Sequence, residues 1–228
     1  VTATSKSPAG APDSFTPALG RFWLTPFYDF AIAGFTRERT WRGALIALVK
    51  PQPEDRILDI GCGTGTLAAA LGAVAEVVGL DPDPDILKRA RAKAGGARVR
   101  FVEGFFGAAR LPAGWRPTKI VSSLVLHQTP LAEKRRIIEE AFAALPPDGT
   151  FCLADYGRQP SPLQRFLFRH LVQRVDGFAN TQPNADGAVD RLLAEAGFED
   201  CAPAAQIPTA TGTISLWRAR KPSKGDPT

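Results

Sequence analysis

The stretch Ile57-Leu58-Asp59-Ile60-Gly61-Cys62-Gly63-Thr64-Gly65-Thr66-Leu67 decides the fold of this chain. Ile57, Leu58 and Ile60 are the apolar run of a short strand covered on both faces. Gly61, Gly63 and Gly65 follow, and glycine lets a backbone turn tightly and approach a ligand with no Cβ in the way. Thr66 is placed to cap the helix that begins at Leu67, whose free N–H groups would face the same crevice. Strand, glycine turn and helix together predict a nucleotide-type pocket at the carboxyl end of a strand.

Spacing narrows the ligand. A dinucleotide fingerprint needs a third glycine three places after the second, and here that place is Thr66. No Gly-Lys-Ser/Thr follows, so the loop is not a P-loop. The pattern is Asp59-x-Gly61-x-Gly63-x-Gly65. An acid before G-x-G-x-G resembles the cofactor loop of class I S-adenosylmethionine-dependent methyltransferases. That cofactor has no pyrophosphate to seat on a helix N-terminus. It has a cationic amino group and a sulfonium, which suit an acid at the loop entrance.

Working outward, Glu76 to Leu80 reads as the second strand, ending at Asp81. Asp83-Pro84-Asp85 opens a helix, with Asp83 at the N-cap and Pro84 at the first helical position. Because Asp83 serves that cap, Asp81 is left without a local task. It stands 22 residues after Asp59, where an acid accepts hydrogen bonds from ribose hydroxyls. Further strands are expected over 99–102, 120–126 and 150–154, with helices over 36–49 and after Thr129-Pro130. This alternation implies a parallel sheet with helices on both faces. Ser161-Pro162-Leu163-Gln164 reads as a capping box opening a helix over 162–175. Leu163, Phe166, Leu167, Leu171 and Val175 share one side of it, and a loop over 177–184 follows. A last helix over 186–196 and two strands, about 198–207 and 211–219, complete the order.

Composition supports one good-sized domain. The chain has 228 residues, 44% hydrophobic and 22% charged, an ordinary globular balance. No run approaches the ~18 apolar residues of a membrane span. Three cysteines without C-x-x-C spacing argue for a reduced, cytoplasmic protein without a disulfide framework or zinc site. The net charge of +5 does not select a partner. Residues 1–14 read as a flexible arm and 221–228 as a polar tail. Residues 15–50 form a leader dense in aromatics, including Tyr28 and Trp41, which either touch the ligand or pack the leader onto the domain.

The resemblance extends along the chain. Gly79-Leu80-Asp81, the run Val121 to His127, Gly149 to Asp155, Ala196-Gly197-Phe198 and Gly212 to Leu216 are similar to the methyltransferase pattern in family order. The leader, with Tyr28-Asp29, Arg39 and Trp41-Arg42, is similar to that of ubiquinone/menaquinone-type C-methyltransferases. The resemblance implies an α/β, Rossmann-like, doubly wound seven-stranded sheet with a C-terminal antiparallel hairpin, within a domain over 51–220. It puts Asp59, Gly61, Cys62, Gly63 and Gly65 beside the methionine part of S-adenosyl-L-methionine, Asp81 and Pro82 at the ribose, and Tyr28 over the site. It puts Gly104 and Phe105 at the adenine. Relatives usually carry an acid there, so adenine recognition with Phe105 rests on stacking, or its amino group meets a backbone carbonyl or water.

Methyl transfer from a sulfonium is a direct displacement, so alignment dominates, and a protonated acceptor also needs a base. His127, expected at the end of the fourth strand and facing the crevice, is the candidate base, or else a structural histidine. Asp155 and Tyr156 at the end of the fifth strand are the next catalytic candidates, with capping its own loop as the second reading of Asp155. Leu-His rather than an acid ends the fourth strand, so metal dependence is not expected. His127-Gln128-Thr129-Pro130 is not the motif of a base-modifying DNA enzyme. The insertion 156–184 falls where such folds build substrate walls and reads as a helical lid. Either Phe166, Phe168 and Phe178 line its cavity and Arg165 or Arg169 meets an acid group, or the helix packs on the sheet edge with its arginines in water. The same helix is suited to resting on a membrane surface. A small organic acceptor, aromatic or quinol-like, is the first expectation. A methyltransferase acting on RNA or another macromolecule, and a non-catalytic S-adenosylmethionine-binding protein, are the alternatives.

Overall fold

The computed structural model describes residues 37–107 and 111–223. The expectations for the arm 1–14, for Tyr28 and for most of the leader lie outside those residues. Five strands pair in parallel: β1 (Arg56–Ile60), β2 (Glu76–Asp81), β3 (Val99–Glu103), β4 (Lys119–Ser123) and β5 (Thr150–Tyr156). β6 (Ala205–Thr209) and β7 (Gly212–Arg220) form an antiparallel hairpin, and β7 joins the sheet antiparallel to β5. The order is β3-β2-β1-β4-β5-β7-β6, the seven-stranded sheet with a terminal hairpin that the family resemblance implies. The chain builds outward from β1 in one direction, then returns to build from β4 in the other. The carboxyl ends of β1 and β4 therefore flank the crevice where such sheets bind ligands.

Successive side chains of a strand point to opposite faces, which divides the core in two. Leu58 and Ile60 of β1 pack with α4 (Leu131–Ala144) and α8 (Ala188–Glu195). Ile57 packs on the other face with α1 (Glu38–Val49), through Trp41, Leu45 and Val49, and with α2 (Thr66–Gly72). Asp59 follows Ile57 onto the α1 face. Burial of these side chains is worth roughly 1.5–3 kcal/mol each, so both helix layers are firmly held. On the rim, α3 (Pro84–Ala94) begins as expected, with the Asp83 carboxylate accepting from the backbone N–H of Asp85 and Ile86.

Several local expectations are corrected. Thr66 does not cap α2. The N-cap is Gly65, at φ 73°, and Thr66 is the first helical residue, its hydroxyl receiving the Lys93 ammonium at 2.7 Å. β4 ends at Ser123, short of His127, because Leu124 turns left-handed (φ 56°). Leu126–Gln128 is a 3₁₀ turn that draws His127 into the interior. Past β5, the expected continuous helix is α5 (Pro162–Leu167), a π-helical stretch Phe168–Val172, and α6 (Gln173–Asp176). The Ser161 cap is present, accepting from Gln164 N. The π stretch inserts an extra residue and rotates the helix face. Phe168 and Val172 are buried instead, while Leu163, Phe166, Leu171 and Val175 are exposed. The expected loop 177–184 is α7 (Phe178–Ala185), held down by Asn184 Nδ2 donating to Tyr156 O at 2.9 Å. β6 is shorter than expected and is preceded by an isolated bridge between Glu199 and Arg220.

Candidate active site

The loop after β1 has the shape its glycines allow. Gly61, Gly63 and Gly65 all lie at positive φ, from 53° to 73°, a region costly for other residues. Their surroundings differ. A Cβ on Gly61 would strike Val125, and one on Gly65 would strike Phe101 and Ala90, whereas one on Gly63 would meet nothing within 4 Å. Gly61 and Gly65 therefore let the loop pack closely, and Gly63 presents bare backbone to open space. Cys62 ties the loop to β2, its N–H donating to Leu80 O at 2.8 Å. Its thiol is buried, and burial pushes it well above the ordinary thiol range. Gly61, Cys62, Gly63, Thr64, Trp41 and Arg42 are among the residues around a cavity of about 160 Å³.

Asp59 lies beside this cavity in an unusual state. It is fully buried, and neither carboxylate oxygen has a hydrogen-bond partner among the described residues. Burial, then the charge of Asp81, raises its pKa to about 7 against a weaker opposing pull from Arg42. Unpaired buried carboxylates are expensive and rarely kept without a use. Arg42 pairs with Glu38 on the preceding helical turn, yet its Nε is buried without a partner among the described residues, as is Trp41 Nε1. An unsatisfied acid on the α1 face of β1 and two unsatisfied donors on α1 thus lie on the same side of the sheet.

Asp81 proves not to be free. One carboxylate oxygen accepts from Gly63 N and the other from Asp83 N, each at 3.0 Å. It has a local task after all, joining the glycine loop to the turn at Pro82. Each oxygen keeps a further lone pair for a ligand. Burial raises its pKa, opposed by those two backbone bonds. Gly104, at φ 141°, closes the same rim through a bond from its N–H to Asp81 O, and Phe105 beside it is half-buried. Phe106 turns into the core.

A second polar centre lies at the end of β5. The buried Asp155 carboxylate accepts on one oxygen from Leu126 N and His127 N, at 2.7 and 3.3 Å, and on the other from Tyr156 N, at 2.7 Å. His127 Nδ1 lies 2.7 Å from that second oxygen, and its Nε2 lies 3.4 Å from Asp176. Burial alone would lower the imidazole pKa, but the two carboxylates overcome it and raise it to about 9. At neutral pH this is a cation clasped between two acids. Tyr156 packs edge-on against His127, bonds Thr211 through its hydroxyl, and is pushed by burial up to about 12. Asp155 therefore does cap a loop, but the neighbouring one.

A profile of the methyltransferase-domain family matches residues 57–149. An uncharacterized methyltransferase of Mycobacterium bovis is 30% identical over 140 residues, which is 60% of this chain and 68% of that protein. The chain belongs to the S-adenosylmethionine-dependent methyltransferases. A demethylmenaquinone methyltransferase of Deinococcus radiodurans is 28% identical over 96% of this chain and 94% of its own length. In fold, this methyltransferase is similar to the N-methyltransferase NodS of Bradyrhizobium japonicum in complex with S-adenosyl-L-homocysteine. That likeness has a TM-score of 0.62 and 17% identity and covers 82% of this chain and 88% of that one.

The crevice of the methyltransferase fits its cofactor. An amino-acid moiety brings an ammonium that needs an acceptor and a carboxylate that needs donors. Asp59, with two orphaned oxygens, and Arg42, with an orphaned Nε, supply that complement. Three polar residues escaped the sequence reading. Arg42 was noted only as part of the leader pattern. Asp176 carries no motif, and only the fold brings it to His127. Lys134 is fully buried, its ammonium donating to Leu126 O and Thr129 O, and burial lowers its pKa to about 8. Its signal was available, since it stands three and four places before Ile137 and Ile138 on the buried stripe of α4.

Proposed function

We propose that this methyltransferase transfers the methyl group of S-adenosylmethionine to a small organic acceptor, aromatic or quinol-like, held under residues 156–184, without a metal and in the cytoplasm. The observation that carries the acceptor class is the near full-length similarity to the demethylmenaquinone methyltransferase of Deinococcus radiodurans. No described helix is long and apolar enough to cross a membrane, so any contact with a lipid-borne acceptor is peripheral.

The bound cofactor supplies a methyl group on a cationic sulfur, open to in-line attack. Asp59 holds the ammonium and Arg42 the carboxylate of its amino-acid part, against the bare backbone of Gly61, Cys62 and Gly63. Asp81, with Pro82, receives the ribose, and Gly104 and Phe105 flank the adenine. Anchoring both ends of the donor converts the displacement into a positioning problem. Gly65 acts behind the loop, letting it pack on Phe101.

His127 is the proton acceptor in this reading. Asp155 fixes its ring through Nδ1, and Asp176, on the lid, occupies Nε2 while the lid is closed on it. Displacing the partly exposed Asp176 removes one of the two carboxylates that keep the imidazole charged, so that Nε2 gives up its proton to Asp176 or solvent and the neutral ring can then take one from a phenol or quinol. Tyr156 shapes the wall beside the ring. Methyl transfer from S-adenosylmethionine to a panel of phenols, quinols and amines tests the acceptor class. The expected result is turnover of phenols or quinols. Turnover of amines alone would replace the aromatic acceptor. His127→Ala should slow that turnover and leave cofactor affinity nearly unchanged by calorimetry, and full activity would make His127 structural.

A further inference from the structure

The segment after β5 encloses a cavity of about 590 Å³ that shares no lining residue with the glycine-loop crevice. We propose that it is a binding site for a soluble organic anion with an aryl body. The proposal does not depend on which acceptor is methylated.

The floor is built and rigid. Phe168 is 2% exposed, and Gln159 is buried and locked at both ends of its amide. Its Nε2 donates to Gly157 O and Thr213 O, and its Oε1 accepts from Thr213 N at 2.6 Å. Three guanidinium groups rise around this floor, from Arg158, Arg165 and Arg169, against one lining carboxylate, Asp186. Asp186 is already engaged by Gln182. Arg165 donates to Gln159 O at 3.1 Å, which holds it over the cavity without neutralising it. Arg158 lies over Gly187, where a Cβ would strike its guanidinium, and pairs with Asp190 at 3.7 Å, which leaves Arg165 and Arg169 as the cations uncompensated among the described residues. Among the described residues no carboxylate lies within ion-pair distance of Arg165 or Arg169. Like charges gathered around a half-open apolar cavity repel one another, and an anion removes that cost. Phe168 and the exposed Phe178 give the ligand its second requirement, an aromatic or apolar body to cover. Planar guanidinium groups favour carboxylate or sulfonate geometry.

The test uses the full chain saturated with S-adenosylmethionine, so that the donor crevice is filled, and the fluorescent aryl sulfonate 8-anilinonaphthalene-1-sulfonate as probe. One saturable, salt-sensitive site per chain is expected, with the uncharged N-phenyl-1-naphthylamine binding at least roughly tenfold more weakly. The double variant Arg165→Gln, Arg169→Gln should lose about tenfold or more in sulfonate affinity with no change in S-adenosylmethionine affinity. Arg174→Gln, exposed on the same segment but outside the cavity, should lose nothing. Arg169→Glu alone carries the same test if the double variant melts early. Equal binding of the charged and uncharged probes overturns the proposal, as does an unaltered affinity in the cavity variants. Retention only on phosphatidylglycerol vesicles, with no binding of the free sulfonate, also overturns it and makes the patch a membrane contact.

Discussion

The two polar centres of this methyltransferase are opposites. At the glycine loop, Asp59, Arg42 and Trp41 carry buried polar atoms that are unpaired among the described residues. At the end of β5, the Asp155 carboxylate meets four donors, and His127 is held on both ring nitrogens. The first centre is incomplete among the described residues, which fits the donor-binding role proposed above, where a ligand would recover its cost. The second is complete without one and serves first to hold the 3₁₀ turn against β5. Unsatisfied and satisfied burial thus separate donor binding from architecture, and that contrast makes opposite predictions for similar substitutions.

Asp155→Ala should have the largest effect. It strands the His127 cation and three backbone N–H groups, and should cost about 3–5 kcal/mol in urea unfolding. A loss below about 1 kcal/mol would mean that this centre is not the anchor. The His127 imidazole should make stability fall with pH. Its folded pKa is raised, so its contribution is complete below the unfolded value of 6.5 and is lost as pH rises through about 9. His127→Gln should flatten that window in melting temperature against pH, and an unchanged profile would break the assignment.

Asp59→Asn should do the reverse of Asp155→Ala. Cofactor affinity should drop roughly tenfold or more by calorimetry, while the stability of the cofactor-free protein at pH 8 does not fall, because an unpaired buried charge is removed. For the native chain, affinity should climb as pH rises through about 7, since the ammonium is best met by an ionised Asp59. A flat profile would show that Asp59 is not the partner. Asp81→Ala sits between the two centres. It should weaken cofactor binding about tenfold and also cost about 1–2 kcal/mol, because Gly63 and Asp83 lose their acceptor. Full stability with lost binding would restore Asp81 to a purely ligand-directed role.

Much of the donor half was legible in order along the chain. Strand, glycine turn, helix and the acid ending β2 are local patterns, although the tasks they suggest for Thr66 and Asp81 differ from the bonds those residues make. Where local reading failed, a contact distant in sequence had intervened. Asp155 pulled His127 off the strand end, and Asn184, tied to Tyr156, helped fold the 177–184 stretch into a helix. The π stretch at Phe168–Val172 rotates the side chains within and after it and so accounts for exposed Leu171 and Val175, while Leu163 and Phe166, which precede it, are exposed without its help.

By itself the sequence determined the alternation of strands and helices and the glycine turn at 61–65, because apolar periodicity and glycine spacing act over a few residues, while the seven-stranded order and its terminal hairpin came from the family resemblance. Tertiary structure alone decided which polar groups are paired. Asp59 and Asp155 are both acids at the inner end of an apolar strand run. Only the chain folded around them shows that one has no partner among the described residues and the other has four, since partners are set by proximity in space and burial sets what their absence costs.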